Sequence, residues 1–443
     1  MPLSPLDADQ IRAYWYGLIN YEQRTPSPTD LKLDHMRRLM ARLGDPQRRL
    51  RIIHIAGTKG KGSIAAMLSA ILRRAGYRTG LFTSPHLCRV EERFQVNGTA
   101  IADEELTALL NEVRSAGEEG LTFFEAATAV GLLHFVRRRC EAVVLEVGLG
   151  GRFDATNVCT PAVALIASIS FDHTKQLGDR LASIAFEKAG IVKPGRPTVS
   201  GATALEARTV IERICAERGS PLRQLGIDFQ CASEPGLVTA DGVRRLQVQV
   251  ESRCIWPALE VNLLGEHQAA NAAVALAAVE ELRAQGWHLP DTAVKAGLAE
   301  VTWPARLELV GRRPLVVLDC AHNVASALAV VETLRSSFPQ GRRLLVFAGS
   351  SDKDLAGMFR VLAPHFARAW LTRYTNNPRS VAPEQLAALW QAAGDVPFTA
   401  CINPVEAWHA ARAEANPEDV ICVTGSVFLA GELRPRLLAE CSS

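Results

Sequence analysis

From residue 51 onward short apolar runs alternate with amphipathic stretches, and that rhythm leaves the chain few architectures. RIIHIAG is followed by an amphipathic stretch from Ser63 to Arg74, then TGLFTS, then Phe124 to Arg139, then AVVLEVG and PAVALIASIS. Strands that alternate with helices build a mostly parallel sheet with helices on both faces, an α/β fold. Segment 225–265 interrupts the pattern: in LVTADGVRRLQVQVE turn residues flank alternating β-formers, so a small antiparallel hairpin insert is expected there. A helix starting near His267 closes this part. After a proline-marked joint at Trp303-Pro304-Ala305-Arg306 the alternation restarts in PLVVLDCAHN, RRLLVFAGSSDKD, RAWLTRY and DVICVTGSVFLAGEL. With 443 residues, 48% of them hydrophobic, the chain can fill two cores. Two domains are expected, 1–300 with the small β insert and 301–443, the second a smaller Rossmann-like α/β domain. No internal repeat at a solenoid period and no low-complexity segment competes with this division.

Lys and Arg total 49 against 47 Asp and Glu, a net charge of +2. No broad electrostatic footprint favours nucleic acid or an anionic membrane, and neither is expected as a partner. The ten cysteines are scattered singly, without a C-x-x-C pair, and read as reduced, mostly buried thiols. The opening MPLSPLDADQIRAYWYGL is acidic and aromatic rather than a charged leader, and no uninterrupted apolar run reaches about 18 residues. A soluble, cytoplasmic protein is expected.

The sharpest motif is Gly57-Thr58-Lys59-Gly60-Lys61-Gly62-Ser63, between an apolar strand and an amphipathic helix. Glycines let backbone N–H groups close around phosphate oxygens and the helix N-terminus favours negative charge. Lys61 is placed to reach β/γ-phosphates and Ser63 to face a magnesium ion. The first domain is therefore read as P-loop-containing. The motif departs from G-x-x-x-x-G-K-[ST], because Gly62 separates Lys61 from Ser63 and Ile55 holds the place of the first glycine. A Gly/Lys-rich surface turn is the plainer alternative, disfavoured by the strand and helix on either side.

Other polar groups recur at strand ends, the edge where open α/β sheets bind ligands. Glu146, in LEVGLGGRFDATN, suits hard-cation coordination, though it would serve equally as a loop cap. Gly148, Gly150 and Gly151 clear room for a ligand, and Arg152 and Asp154 follow as candidate substrate contacts. His173, in Ser170-Phe171-Asp172-His173, would as a lone histidine more often be structural, but its place at the same edge makes it a candidate metal ligand. Lys188 sits among apolar residues, where an unpaired ammonium is costly; either an anion pairs with it or its chemistry is altered. Ser84, in Thr83-Ser84-Pro85-His86, offers a short oxygen ligand or marks a plain strand exit. In the second domain Asp319-Cys320-Ala321-His322-Asn323 ends a strand beside a helix start, where Asn323 is also a natural cap.

Together these stretches resemble the folylpolyglutamate synthase and dihydrofolate synthase family of the Mur ligase superfamily. The carrying segments are GTKGKGS, TSPHL with EERFQVNG, LTFFEAAT, LEVGLGGRFDATN, DHTKQLG with FEKAGIVKPG, GEHQAANAAVALA, WPARLE, LDCAHN, SSDKD and TGSVFLAGE, in the family's order from about residue 33 to 433. The resemblance implies that Gly57 through Ser63 hold ATP phosphates, with Lys61 catalytic, and that Ser63, Ser84, Glu146 and His173 bind magnesium. Lys188 matches a lysine that these ligases carry as a carbamate. Asn271, Arg306 and Asp319 match nucleotide-binding positions, and His322 a residue near the incoming glutamate. Thr122, Phe124 and Asp154 lie in segments that contact the pterin-bearing substrate. Lys59 replaces a usual asparagine, Lys175-Gln176 follow DHT where an acidic residue is frequent, and Ala305 and Cys320 stand where glycines are common.

The implied chemistry is transfer of the γ-phosphoryl group of MgATP to a carboxylate, then attack of the glutamate amine on the acyl phosphate. The nucleophile belongs to the substrate, so no nucleophilic side-chain constellation is required. The implied partners are ATP, L-glutamate and a folate or dihydropteroate, on a chain expected to act as a monomer. Closure of two domains would exclude water from the acyl phosphate. Two readings compete: a Mur-type amide ligase acting on another carboxylate, and a P-loop nucleotide switch that hydrolyses nucleotide without ligation.

Overall fold

The computed structural model describes residues 4–21, 32–117, 120–172, 174–238, 243–338, 340–375 and 377–441. Its α/β chain divides into two compact units. One comprises Met1–Ala232, Gln249–Leu259 and Ala270–Val301; the other comprises Ser233–Val248, Glu260–Ala269 and Thr302–Ser443.

The first unit is built on eight strands: β1 (Ile52–Ala56), β2 (Thr79–Phe82), β3 (Phe94–Val96), β4 (Thr99–Ala100), β5 (Ala142–Glu146), β6 (Val163–Ile166), β7 (Thr198–Ser200) and β8 (Leu222–Gln224). They lie in the order β4-β3-β2-β5-β1-β6-β7-β8. Only the β2–β3 and β3–β4 pairs are antiparallel. Every residue of β1, β5 and β6 is buried. That is why these strands read as continuous apolar runs: helices cover both faces of a parallel sheet. On one face Trp15 stacks on Phe123, ring centroids 4.7 Å apart, and its indole N–H donates to the Phe123 carbonyl at 3.1 Å. Further along the same face, Ile166, in register with Ala56, packs with Ile184 and Ile211. From β1 the chain builds one side of the sheet and then crosses to the other at β6. The crevice beyond the carboxyl end of β1 is thus a topological switch point.

β9 (Gln230–Val238), β10 (Arg244–Glu251) and β11 (Ile255–Val261) form a separate sheet in the order β11-β10-β9. The expected hairpin insert therefore has a third strand, while residues 239–242 of its LVTADGVRRLQVQVE stretch lie outside the described residues. The second unit's sheet has β12 (Glu308–Arg312), β13 (Leu315–Leu318), β14 (Arg343–Phe347), β15 (Arg368–Leu371), β16 (Phe398–Ala400) and β17 (Val420–Thr424), ordered β12-β13-β17-β14-β15-β16. All its pairs are parallel except β12–β13. Phe359 lies edge-on to Phe347 and Trp390, at 4.8 and 5.0 Å, in its core. Six of the ten free cysteines are buried. Among the described residues no helix is long and apolar enough to cross a membrane.

Candidate active site

Beyond β1 the chain turns into the helix Lys61–Arg74 through Gly60, whose φ of 87° caps it in the left-handed region. A Cβ there would stand 2.2 Å from Asn271 Oδ1, so the close approach of Asn271 requires glycine. The loop is bonded to the exit of β6. Thr58 N donates to the Ser168 carbonyl at 2.7 Å, Thr58 Oγ1 to the Ser170 carbonyl at 3.1 Å, and Lys59 N to Ser168 Oγ at 3.3 Å. Patterning does not single out Ser168; its position two residues past a buried strand is the sequence signal.

Two ammonium groups meet at the Gly57 carbonyl, Lys188 Nζ at 2.9 Å and Lys61 Nζ at 3.2 Å. Burial, reinforced by Lys61, pushes the Lys188 amine down to about 7, against partial opposition from Asp172 and Asp154. Burial likewise lowers Lys59, again opposed by Asp172. A cationic loop at a helix N-terminus, with one amine partly neutral at physiological pH, is built to receive anions.

Ser63 and Glu146 are buried. Glu146 ends β5, level with Ile55 on β1, and accepts the Ser84 N–H at 3.3 Å. The exits of the adjacent strands β2, β5 and β1 thus carry Ser84, Glu146 and the glycine loop on one edge of the sheet. His173, the fourth expected metal ligand, lies outside the described residues. Among the described residues no three His, Cys, Asp or Glu side chains gather as a metal centre. What Ser63, Ser84 and Glu146 offer is hydroxyl and carboxylate oxygen, a donor set that fits a hard divalent cation.

The four candidate acceptor contacts divide into two kinds. The Phe124 ring lies over Gly148, where a Cβ would approach its Cζ to 2.5 Å. Arg152 is flanked by the rings of Phe153 and Phe186, 4.8 and 4.9 Å away, and its side chain is half-exposed. Asp154 and Thr122 are instead engaged with their own backbone. Asp154 accepts from the N–H groups of Gly148, Leu149 and Thr156 at 3.0, 2.9 and 3.0 Å. Burial pushes its carboxyl up, and these donors pull it back. Thr122 caps the helix Phe123–Arg137 in a reciprocal box with Glu125.

In the second unit Asp319 follows β13 and accepts the N–H groups of Leu307 at 3.0 Å and Ala321 at 2.6 Å. It thereby holds a segment in which Ala305 and Leu307 are left-handed, at φ 53° and 48°. The Arg306 guanidinium in the same segment donates to Cys320 Sγ. His322 Nδ1 lies 3.0 Å from the Cys320 carbonyl, so in the neutral ring Nδ1 carries the proton. Asn323 does cap the helix Val324–Ser337. Asn271 and the P-loop lie in the first unit, Arg306, Asp319 and His322 in the second.

This fold, with a P-loop at the switch point of one α/β unit and an acidic strand exit in another, is that of a Mur ligase. The sequence model of the Mur ligase middle domain matches residues 55–279, and that of the Mur ligase glutamate ligase domain matches residues 305–427. A Bacillus subtilis dihydrofolate synthase/folylpolyglutamate synthase is 35% identical over 424 residues, covering 91% of this chain and 94% of the relative. Two solved structures superpose over 99% of both chains at 30% identity: Escherichia coli FolC in complex with DHPP and ADP, with a TM-score of 0.86, and the Yersinia pestis bifunctional enzyme complexed with AMPPNP and Mn ion, with a TM-score of 0.83. The chain belongs to the folylpolyglutamate synthase/dihydrofolate synthase family of ATP-dependent ligases.

Proposed function

We infer that this chain joins L-glutamate to the carboxylate of a folate or a dihydropteroate, with cleavage of ATP to ADP and phosphate. The observation that carries this reading is the convergence of Lys61 and Lys188 on the Gly57 carbonyl at the sheet's switch point. Gly57 through Ser63 cradle the phosphates with Lys61 against the γ-phosphate, and Asn271, Arg306 and Asp319 take the family's remaining nucleotide positions. Ser63, Ser84, Glu146 and His173 would hold magnesium, which when bound neutralises charge on the phosphate oxygens. An acceptor carboxylate oxygen attacks the γ-phosphorus and ADP leaves; the glutamate amine, near His322, then attacks the acyl carbon and phosphate leaves. The half-neutral Lys188 is poised to become a carbamate: its free amine adds to CO2 and releases one proton, which exchanges a buried cation for an anion facing the metal ligands. Phe124 and Arg152, with Thr122 and Asp154 behind them, shape the acceptor side. The protein acts as a monomer in the cytoplasm, in keeping with its free thiols.

The test is ADP release with MgATP and glutamate in the presence of dihydropteroate, tetrahydrofolate or no acceptor, with product masses measured alongside. A gain of one glutamate on dihydropteroate shows dihydrofolate synthase activity, and gains on tetrahydrofolate show polyglutamylation. Hydrolysis that ignores the acceptor, with no change in mass, overturns the reading.

A further inference from the structure

β1 is apolar except for His54, which is fully buried between β5 and β6. An imidazole in that place is costly unless each nitrogen is matched, and here both are. His54 Nε2 lies 2.8 Å from Thr156 Oγ1, and Cys159 Sγ lies 3.6 Å from Nδ1. Thr156 Oγ1 in turn bonds Asp154 Oδ1, while Asp154 Oδ2 accepts the N–H groups of Gly148 and Leu149.

The direction of every proton in this chain follows from chemistry. Asp154 accepts two N–H bonds at Oδ2 and one at Oδ1, the pattern of a carboxylate. The single Thr156 hydroxyl proton therefore goes to Asp154. Thr156 Oγ1 is left as the acceptor toward His54, so the ring carries its proton on Nε2 and accepts the Cys159 thiol at Nδ1. Burial keeps that thiol protonated, pushing it up to about 12, and keeps the ring neutral.

The loop so braced is the one that carries Gly148 beneath Phe124 and bonds Arg152 N to the Glu187 carbonyl at 2.8 Å, one residue from Lys188. The P-loop has fastenings of its own, through Thr58 and Lys59 to the exit of β6, besides the Lys188 bond to the Gly57 carbonyl. We propose that His54 is a positioning residue for the acceptor: through Thr156 and Asp154 it sets the height of the 148–152 loop between Phe124 and Lys188, and leaves nucleotide binding alone. The kinetic part rests on the ligase function proposed above.

His54→Leu and Thr156→Val each break the chain at one link, whereas His54→Gln keeps an amide donor and Thr156→Ser keeps the hydroxyl. The acceptor KM is expected to rise about 10-fold or more in the breaking variants, as misplacement of a substrate platform does, with the MgATP KM unchanged. Both conservative variants restore it, and the double variant is no worse than the weaker single one. Equal changes in both KM values, or a lower melting temperature with neither KM moved, overturn the proposal. Two readouts stand if the protein proves not to ligate folates: 15N NMR of His54, expected as the Nε2–H tautomer, and hydrogen exchange at the Gly148 and Leu149 amides, expected to quicken in Thr156→Val. An Nδ1–H ring, or unchanged exchange, sinks the chain of bonds itself.

Discussion

Asp154 and Asp319 both accept backbone N–H groups in the segment that follows a parallel strand, yet they tie together different lengths of chain. Asp154 gathers Gly148, Leu149 and Thr156 within its own loop and continues through Thr156 to His54 inside the sheet. Asp319 bridges two segments, Leu307 ahead of β12 and Ala321 behind β13. The first makes a platform braced from below; the second is a clamp that holds Arg306 beside a left-handed turn. Their electrostatics differ too, because the Asp154 charge acts on the buried Lys188 amine, whereas Arg306 beside the second donates to the Cys320 thiol.

That electrostatic difference should give the largest effect. Lys188→Met is expected to lower kcat at least about 10²-fold, the scale of losing a preorganised charge in a water-poor site. Its melting temperature should hold or rise, because an apolar side chain replaces a buried amine. An unchanged kcat in the ADP-release assay would remove Lys188 from the chemistry and leave the two loops alike. Next in size are the aspartates. Asp154→Ala strands three N–H groups and a hydroxyl, so a loss of about 3–5 kcal/mol is expected, against about 2 kcal/mol for Asp319→Ala, which strands two N–H groups. Calorimetric unfolding of the two variants checks the ranking, and equal losses would show that the brace from His54 adds nothing.

The strand rhythm, the P-loop and the polar strand exits were legible in the sequence because they are local: a buried parallel strand is apolar along most of its length, and a phosphate loop needs its glycines next to a helix start. What joins them was not. Lys188 finds the Gly57 carbonyl across 131 residues and His54 finds Thr156 across 102. No period in the chain records such pairings, since they depend on the strand order that places β1 between β5 and β6. Asp154 shows the limit from the other side. Its neighbourhood suggests a ligand contact, and nothing in it foretells the four donors that also hold its carboxylate. The one clue to the network was the lone histidine inside IIHIA, a polar side chain where burial demands a partner.

His54 also separates the two loops by pH. Folded, its pKa is held down to about 3 from an ordinary 6.5, first by burial and then by Lys193. The unfolded chain therefore takes up a proton below pH 6.5 that the folded chain refuses until about pH 3. The contribution is fully present above 6.5 and is lost progressively as pH falls through that window, at up to about 1.4 kcal/mol per pH unit. Between pH 7 and 5.5 wild type should lose about 1 kcal/mol more than His54→Gln in denaturant unfolding. Parallel pH profiles would mean that the ring is hydrated and the brace loose.

The smallest effects compare two helix caps. Thr122 boxes with Glu125 at the head of Phe123–Arg137, and Asn323 with Ser326 at the head of Val324–Ser337. Removing either oxygen exposes an unpaired N–H at a helix start, so Thr122→Ala and Asn323→Ala should each cost about 1 kcal/mol. The two sites part when only the methyl is removed. Thr122→Ser keeps the capping hydroxyl, and with it the bonds to Glu125, so its melting temperature should match wild type. If Thr122 also touches the acceptor, its methyl is the group that takes no part in the cap, since the hydroxyl donates to Glu125 at 2.9 Å and accepts that residue's N–H at 3.2 Å. A higher acceptor KM in Thr122→Ser at unchanged melting temperature thus assigns the residue to the substrate as well as to the helix. An unchanged KM there, with a lower melting temperature in Thr122→Ala, assigns it to the helix alone.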